Sequence, residues 1–115
     1  MDEILKKLIG ENTTCDFKEF LERKQFKSWL KSVSAFANGF GGSLFFGVND
    51  EGEIVGLNDI KNDTEFISDK IKNIIDPIPD FELKTISIGN GKKILAMSIS
   101  SFQPLLYAMD WSSQR

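Results

Sequence analysis

The chain has 115 residues, 41% hydrophobic and 27% charged, with one cysteine, no histidine and a net charge of −3. That length suits one domain that buries a core without staples; the lone Cys15 excludes an internal disulfide, and the lack of histidine excludes imidazole acid–base chemistry and imidazole ligands. The acidic balance argues against a polyanion binder working by overall charge alone, and with no long apolar run and no signal-like amino terminus a cytoplasmic protein, away from membranes, is expected.

Asp2 to Ile9 places Ile4, Leu5, Leu8 and Ile9 at helical spacing before Gly10, which predicts a short first helix. After the polar stretch Glu11 to Thr14, the segment Cys15 to Phe20 alternates. Cys15 and Phe17 fall on one side, Asp16, Lys18 and Phe20 on the other, as in a strand with two usable faces. Arg23 and Lys24 lie in the following connection. Phe26, Trp29, Leu30, Val33, Phe36, Ala37 and Phe40 then recur at three- and four-residue steps, the clearest period in the chain, and predict a helix whose other side carries Lys27, Lys31 and Ser34.

Asn38, Gly39, Gly41 and Gly42 are read as the structural turn that stops this helix, because such residues tolerate a positive φ. Leu44 to Val48, broken by Gly47, is a short apolar strand, and Glu51-Gly52 is a hairpin turn leading to a second strand at Ile54. Asp63 or Thr64 is expected to cap a helix with the stripe Phe66, Ile67, Ile71, Ile74 and Ile75, which Asp76-Pro77-Ile78-Pro79 ends. Leu83 to Ile88 and Lys93 to Ile99 alternate on either side of Gly89-Asn90-Gly91 and read as a hairpin. The pattern predicts an α+β fold, a mixed or antiparallel sheet packed with about three helices. Residues 1–100 form the domain, and residues 101–115 a tail without a clear period.

Three groups of residues have chemistry to offer. Glu11 and Asp16 flank the entry to a strand and Asp50 follows a strand end, so a sheet can gather three carboxylates able to hold Mg²⁺ or Mn²⁺ and polarise a phosphodiester. The structural reading has Asp50 starting a turn, Asp16 facing solvent and Glu11 capping a loop. Lys18, Arg23, Lys24, Lys27 and Lys31 put five of the 14 cations in one segment and can meet phosphates without reading bases, although a lysine-rich helix side is also the ordinary solvated one. The glycine turn lies at a helix C-terminus, where the dipole repels anions, and Gly41-Gly42-Ser43-Leu44 lacks the P-loop lysine, so ATP binding is not expected. The phenylalanines lie mostly on apolar stripes and read as core.

Glu11-Asn12-Thr13-Thr14-Cys15-Asp16-Phe17-Lys18, Ser34-Ala35-Phe36-Ala37-Asn38-Gly39-Phe40-Gly41-Gly42 and Gly47-Val48-Asn49-Asp50-Glu51-Gly52 followed by Ile54-Val55-Gly56 stand in an order that resembles the Schlafen AlbA-like DNA-binding domain family. The likeness covers roughly residues 8 to 100 of the chain. It implies a sandwich-like α+β fold and nucleic-acid binding, and in the Schlafen endoribonucleases the positions of Glu11, Asp16 and Asp50 supply an acidic metal-binding triad. Two departures stand out: Asp16 where Glu is common, and a segment after Ser100 in which only Gln103-Pro104 and Tyr107 keep the family pattern.

The expectation is therefore a nucleic-acid-binding module of a transcriptional-regulator type protein, preferring DNA to RNA and acting through phosphate contacts. It is not expected to be an enzyme and needs no cofactor. The alternatives are a Mg²⁺- or Mn²⁺-dependent endoribonuclease and a non-catalytic interaction domain, with a homodimer through free sheet edges as a further expectation.

Overall fold

The computed structural model describes Lys6, Lys7 and residues 14–102 of the chain. Its elements are β1 (Cys15–Lys18), α1 (Lys27–Asn38), β2 (Gly42–Phe46), α2 (Ile60–Ile74), β3 (Phe81–Ile88) and β4 (Lys92–Ile99). The four strands form one sheet in the order β1-β2-β4-β3, with β1 parallel to β2 and the other pairs antiparallel. The α+β class is as the sequence predicts, and of the two sheet types expected, mixed or antiparallel, the sheet is mixed. Two helices of this length occur among the described residues, where about three were expected. Of the predicted Asp2–Ile9 helix, Lys6 and Lys7 are helical and the remaining residues lie outside the described ones.

Parallel pairing of β1 and β2 needs a crossover, and α1 supplies it. Trp29, Leu30, Val33 and Ala37 of α1 are buried, as the period predicts. They pack with Ile67 and Ile71 of α2 onto Leu44 and Phe46 of β2 and Leu95, Met97 and Ile99 of β4, so both helices cover the same side of the sheet. Each large side chain fully buried here contributes about 1.5–3 kcal/mol. Trp29 is the centrepiece: it meets Phe46 edge-on at 5.9 Å and Phe66 at 6.5 Å, and its indole N–H donates to the Glu22 carbonyl at 3.0 Å. The alternate residues of the strands build a smaller cluster on the other side, Phe45, Val48, Ile88 and Ile94 flanked by Phe17, Ile54 and Ile86. Burial on both sides explains why Leu44, Phe45 and Phe46 are apolar without alternation.

Several local expectations are corrected. Phe40, placed by its spacing on the buried stripe, is 85% exposed because α1 stops at Asn38 and the chain turns. The strand expected at Ile54 is reduced to a single bridge with Val48, while Gly47 and Val48 donate to the Lys18 carbonyl at 2.8 and 3.2 Å and tie the hairpin to β1. Helix α2 starts earlier than its apolar stripe suggests. Its cap is Asp59, whose carboxylate accepts from the Asn62 side chain at 2.6 Å and the Asn62 amide at 3.5 Å. Asp63 is thereby left inside the first turn, and Ile74, at the far end, is 48% exposed. The β3–β4 hairpin turns at Gly89 to Gly91, as read. The hydrogen bond from Phe102 N–H to the Ala37 carbonyl at 2.9 Å brings the segment after β4 back onto the end of α1. No helix among the described residues is long and apolar enough to cross a membrane.

Candidate nucleic-acid interface

The five cations singled out by sequence divide into two classes. Lys18 sits on the helix-facing side of β1 with its Nζ 3.6 Å from Asp16 Oδ2, and that same oxygen accepts from the Ser32 hydroxyl of α1 at 2.9 Å. Asp16 is therefore a tie between β1 and α1, where the structural reading had it facing solvent. Arg23 donates from Nη2 to Asp63 Oδ1 at 2.6 Å, and its guanidinium lies 4.9 Å from the Phe66 ring centroid. Asp63 is 7% exposed, so its charge is matched by this one arginine. These two cations serve the fold.

Lys24, Lys27 and Lys31 belong to the other class. All three are exposed, and none has an ion pair among the described residues. Lys24 lies in the turn before α1, and Lys27 and Lys31 are one helical turn apart on its outer side. The chain has no Asp or Glu between Glu22 and Asp50, so α1 and both its flanking turns are free of carboxylates. The helix also runs against its own charge preference. A cation opens it, no acid stands in its first turn and no base in its last, whereas the dipole favours the reverse by about 0.3–1 kcal/mol per charge.

The glycine turn is structural. Gly39 N–H donates to the Ala35 carbonyl at 2.9 Å and Gly41 N–H to the Phe36 carbonyl at 2.8 Å, so these amides complete the helix end and are not aimed at a ligand. Asn38 is the last residue of α1. Gly42 opens β2 under the Phe36 ring, where an added Cβ would come within 2.7 Å. Gly47 and Gly52 turn the chain after β2 with positive φ. Asp50 is exposed in that second turn, next to Asn49, whose Oδ1 accepts from the Glu51 and Glu53 amides at 3.1 and 2.8 Å and so shapes the loop.

Glu11 lies outside the described residues. Among the described residues no three Asp, Glu, Cys or His side chains come together in a way that could hold a metal ion. Asp16 is already engaged by Ser32 and Lys18. A cleft of about 770 Å³ lies on the α2 side, lined in part by Phe20, Arg23, Asp59, Asp63, Glu65 and Asp69. Its acidic walls make it a poor seat for a polyanion. Cys15 is half-buried, and burial pushes its thiol pKa up.

Sequence reasoning found the lysines by their clustering but missed the division among the cations. It also missed the Arg23–Asp63 pair, whose members are 40 residues apart. The only signal for that pair was an acid at the start of a helical pattern, which reads equally well as a cap.

Comparison with known proteins agrees with this fold. The chain is 26% identical over 123 aligned positions to an uncharacterised ATP-binding protein of Ureaplasma parvum, covering 91% of the chain and 35% of that relative. It thus spans about a third of that protein's length. The N-terminal domain of a RecG-related protein from Nitrosomonas europaea, solved by solution NMR, superposes with a TM-score of 0.54 at 22% identity, covering 86% of this chain and 71% of that one. The family model described as Schlafen, AlbA_2 matches residues 11–112, and the chain belongs to that family.

Proposed function

We propose that this domain binds nucleic acid, DNA in preference to RNA, through phosphate contacts from Lys24, Lys27 and Lys31, as one module of a larger regulator-type protein. The observation that carries the reading is that α1 and the turn before it have no carboxylate, while Lys24, Lys27 and Lys31 have no ion pair among the described residues, in a chain of net charge −3. Gathering three cations on α1 and the turn before it lets an acidic protein present a locally positive surface. Phosphate contacts of this kind position a nucleic acid without selecting its sequence. The family membership supports the same reading, as does the helicase-related name of the structural neighbour. The ATP-binding name of the Ureaplasma relative is not carried over, because the glycine-turn amides are bonded to helix carbonyls and no P-loop lysine follows.

The test is fluorescence anisotropy with DNA and RNA oligonucleotides over a salt series. Three phosphate contacts give a slope of log K against log salt of about −2.7 on a duplex and about −2.1 on a single strand. Replacing Lys24, Lys27 and Lys31 together by alanine should bring the slope close to zero, whereas Lys61→Ala on α2 should leave it unchanged. Absence of binding at low salt, or equal slopes for both variants, would overturn the proposal.

A further inference from the structure

We infer that the nucleic acid taken by this surface is single-stranded, and that Phe40 stacks on one of its bases; the inference rests on the nucleic-acid reading above. Phe40 is 85% exposed, more than Phe20 at 56% or Ile78 at 52%. The residues that hold it are ordered by bonds on both sides. Gly39 N–H is bonded to the Ala35 carbonyl, Gly41 N–H to the Phe36 carbonyl, and the Ser101 hydroxyl donates to the Gly39 carbonyl. The ring is thus offered to solvent from a fixed backbone, which lowers the entropy cost of stacking a partner on it. Nothing in the packing of the fold explains it, since the stripe of α1 ends with Ala37 in the core and the chain has already turned.

Its position relative to the lysines gives the chemistry. Phe40 follows the C-terminal end of α1, and Lys24 and Lys27 stand at the N-terminal end, about 18 Å away along a helix of 12 residues. The dipole makes the lysine end attractive to phosphate and the Phe40 end unattractive to it. A strand lying along the helix would therefore be held by its phosphates at one end and by an uncharged contact at the other. A base face is such a contact, and every base has one. In a duplex the base faces are covered by their neighbours, so a side chain from outside reaches them only by unstacking a step, a cost of about a few kcal/mol that an unpaired strand does not carry.

The experiment measures binding of a labelled oligonucleotide of about a dozen nucleotides, single-stranded or annealed to its complement, by anisotropy with wild type, Phe40→Ala and Phe40→Trp. Phe40→Ala is expected to weaken single-strand binding about 5- to 150-fold with an unchanged salt slope, to leave duplex binding alone, and to be rescued by Phe40→Trp. On an oligonucleotide whose bases are replaced by abasic sites, wild type and Phe40→Ala should bind equally. Binding by wild type that is indifferent to Phe40→Ala, or a Phe40→Ala loss as large on abasic strands, overturns the stacking while leaving the lysine contacts standing. No binding of any oligonucleotide by wild type removes the lysine proposal and this one together.

Discussion

Replacing Gly41 by alanine tests whether the turn after α1 is a packing device. Gly41 has φ +84°, and a Cβ there would lie 2.8 Å from the Ile99 carbonyl oxygen. That oxygen belongs to the backbone of β4, where Ile99 is held in register with Gly42 on one side and Phe81 on the other, so it cannot step aside cheaply. The left-handed conformation costs a residue with a side chain about 1–2 kcal/mol. Forcing a methyl group against fixed atoms adds about 1–3 kcal/mol, and the stiffer unfolded chain offsets about 0.4–1 kcal/mol. The net expectation is a loss of about 3 kcal/mol. Gly91 supplies the control, because its φ is +75° and nothing lies within 4 Å of its added Cβ, leaving a loss of about 1 kcal/mol. Urea unfolding followed by far-ultraviolet circular dichroism and by the fluorescence of buried Trp29 reads both variants. For a domain of this size the two losses correspond to falls in Tm of about 12 and 4 °C. If Gly41→Ala and Gly91→Ala prove equally destabilising, the obstacle at Ile99 is not what demands glycine, and the turn would have to be reconsidered as a ligand-binding loop.

Four further outcomes follow from the same geometry. In a double-mutant cycle, Arg23→Ala and Asp63→Ala should show a coupling of about 1–2 kcal/mol, reduced from a fully buried pair by the exposure of Arg23; additive effects would mean that the 2.6 Å contact contributes nothing. Lys27→Glu should stabilise the fold by about 0.3–1 kcal/mol while weakening DNA binding, since the change suits the helix dipole and opposes phosphate; a loss on both counts would refute the claim that Lys27 is placed against stability. Burial raises the Cys15 thiol pKa, so the folded protein keeps its proton where the unfolded chain ionises. Stability present below the unfolded thiol's pKa is then lost as pH rises through the folded value, and the pH midpoint of alkylation should lie above that of the urea-unfolded chain; a midpoint at or below it would contradict the burial. Finally, RNA incubated with Mn²⁺ should remain equally intact with wild type and Asp50→Ala, and cleavage that Asp50→Ala abolishes would favour the three-carboxylate reading.

Family membership and the α+β class were legible because their signals are local, whereas the choice between a mixed and an antiparallel sheet rests on the pairing of β1 with β2. The three- and four-residue steps from Phe26 to Ala37 report one helix face, and Gly89-Asn90-Gly91 between alternating runs reports one hairpin. The same rule misplaced Phe40, since periodicity continues past the residue where the backbone turns. It also started α2 too late, because the apolar stripe begins after the cap at Asp59.

The amino-acid order alone determined the helix of α1 and the β3–β4 hairpin, that one segment concentrates cations, and that the chain carries the motifs of its family. Only the tertiary structure decided which cations are free. Arg23 meets an acid 40 residues away and Lys18 meets one on its own strand, while Lys24, Lys27 and Lys31 meet none among the described residues. Helical period and turn chemistry depend on neighbours within a few positions, but charge pairing depends on distance in space. A residue's availability to a partner is therefore settled only once the sheet has brought α2 beside the connection that leads into α1.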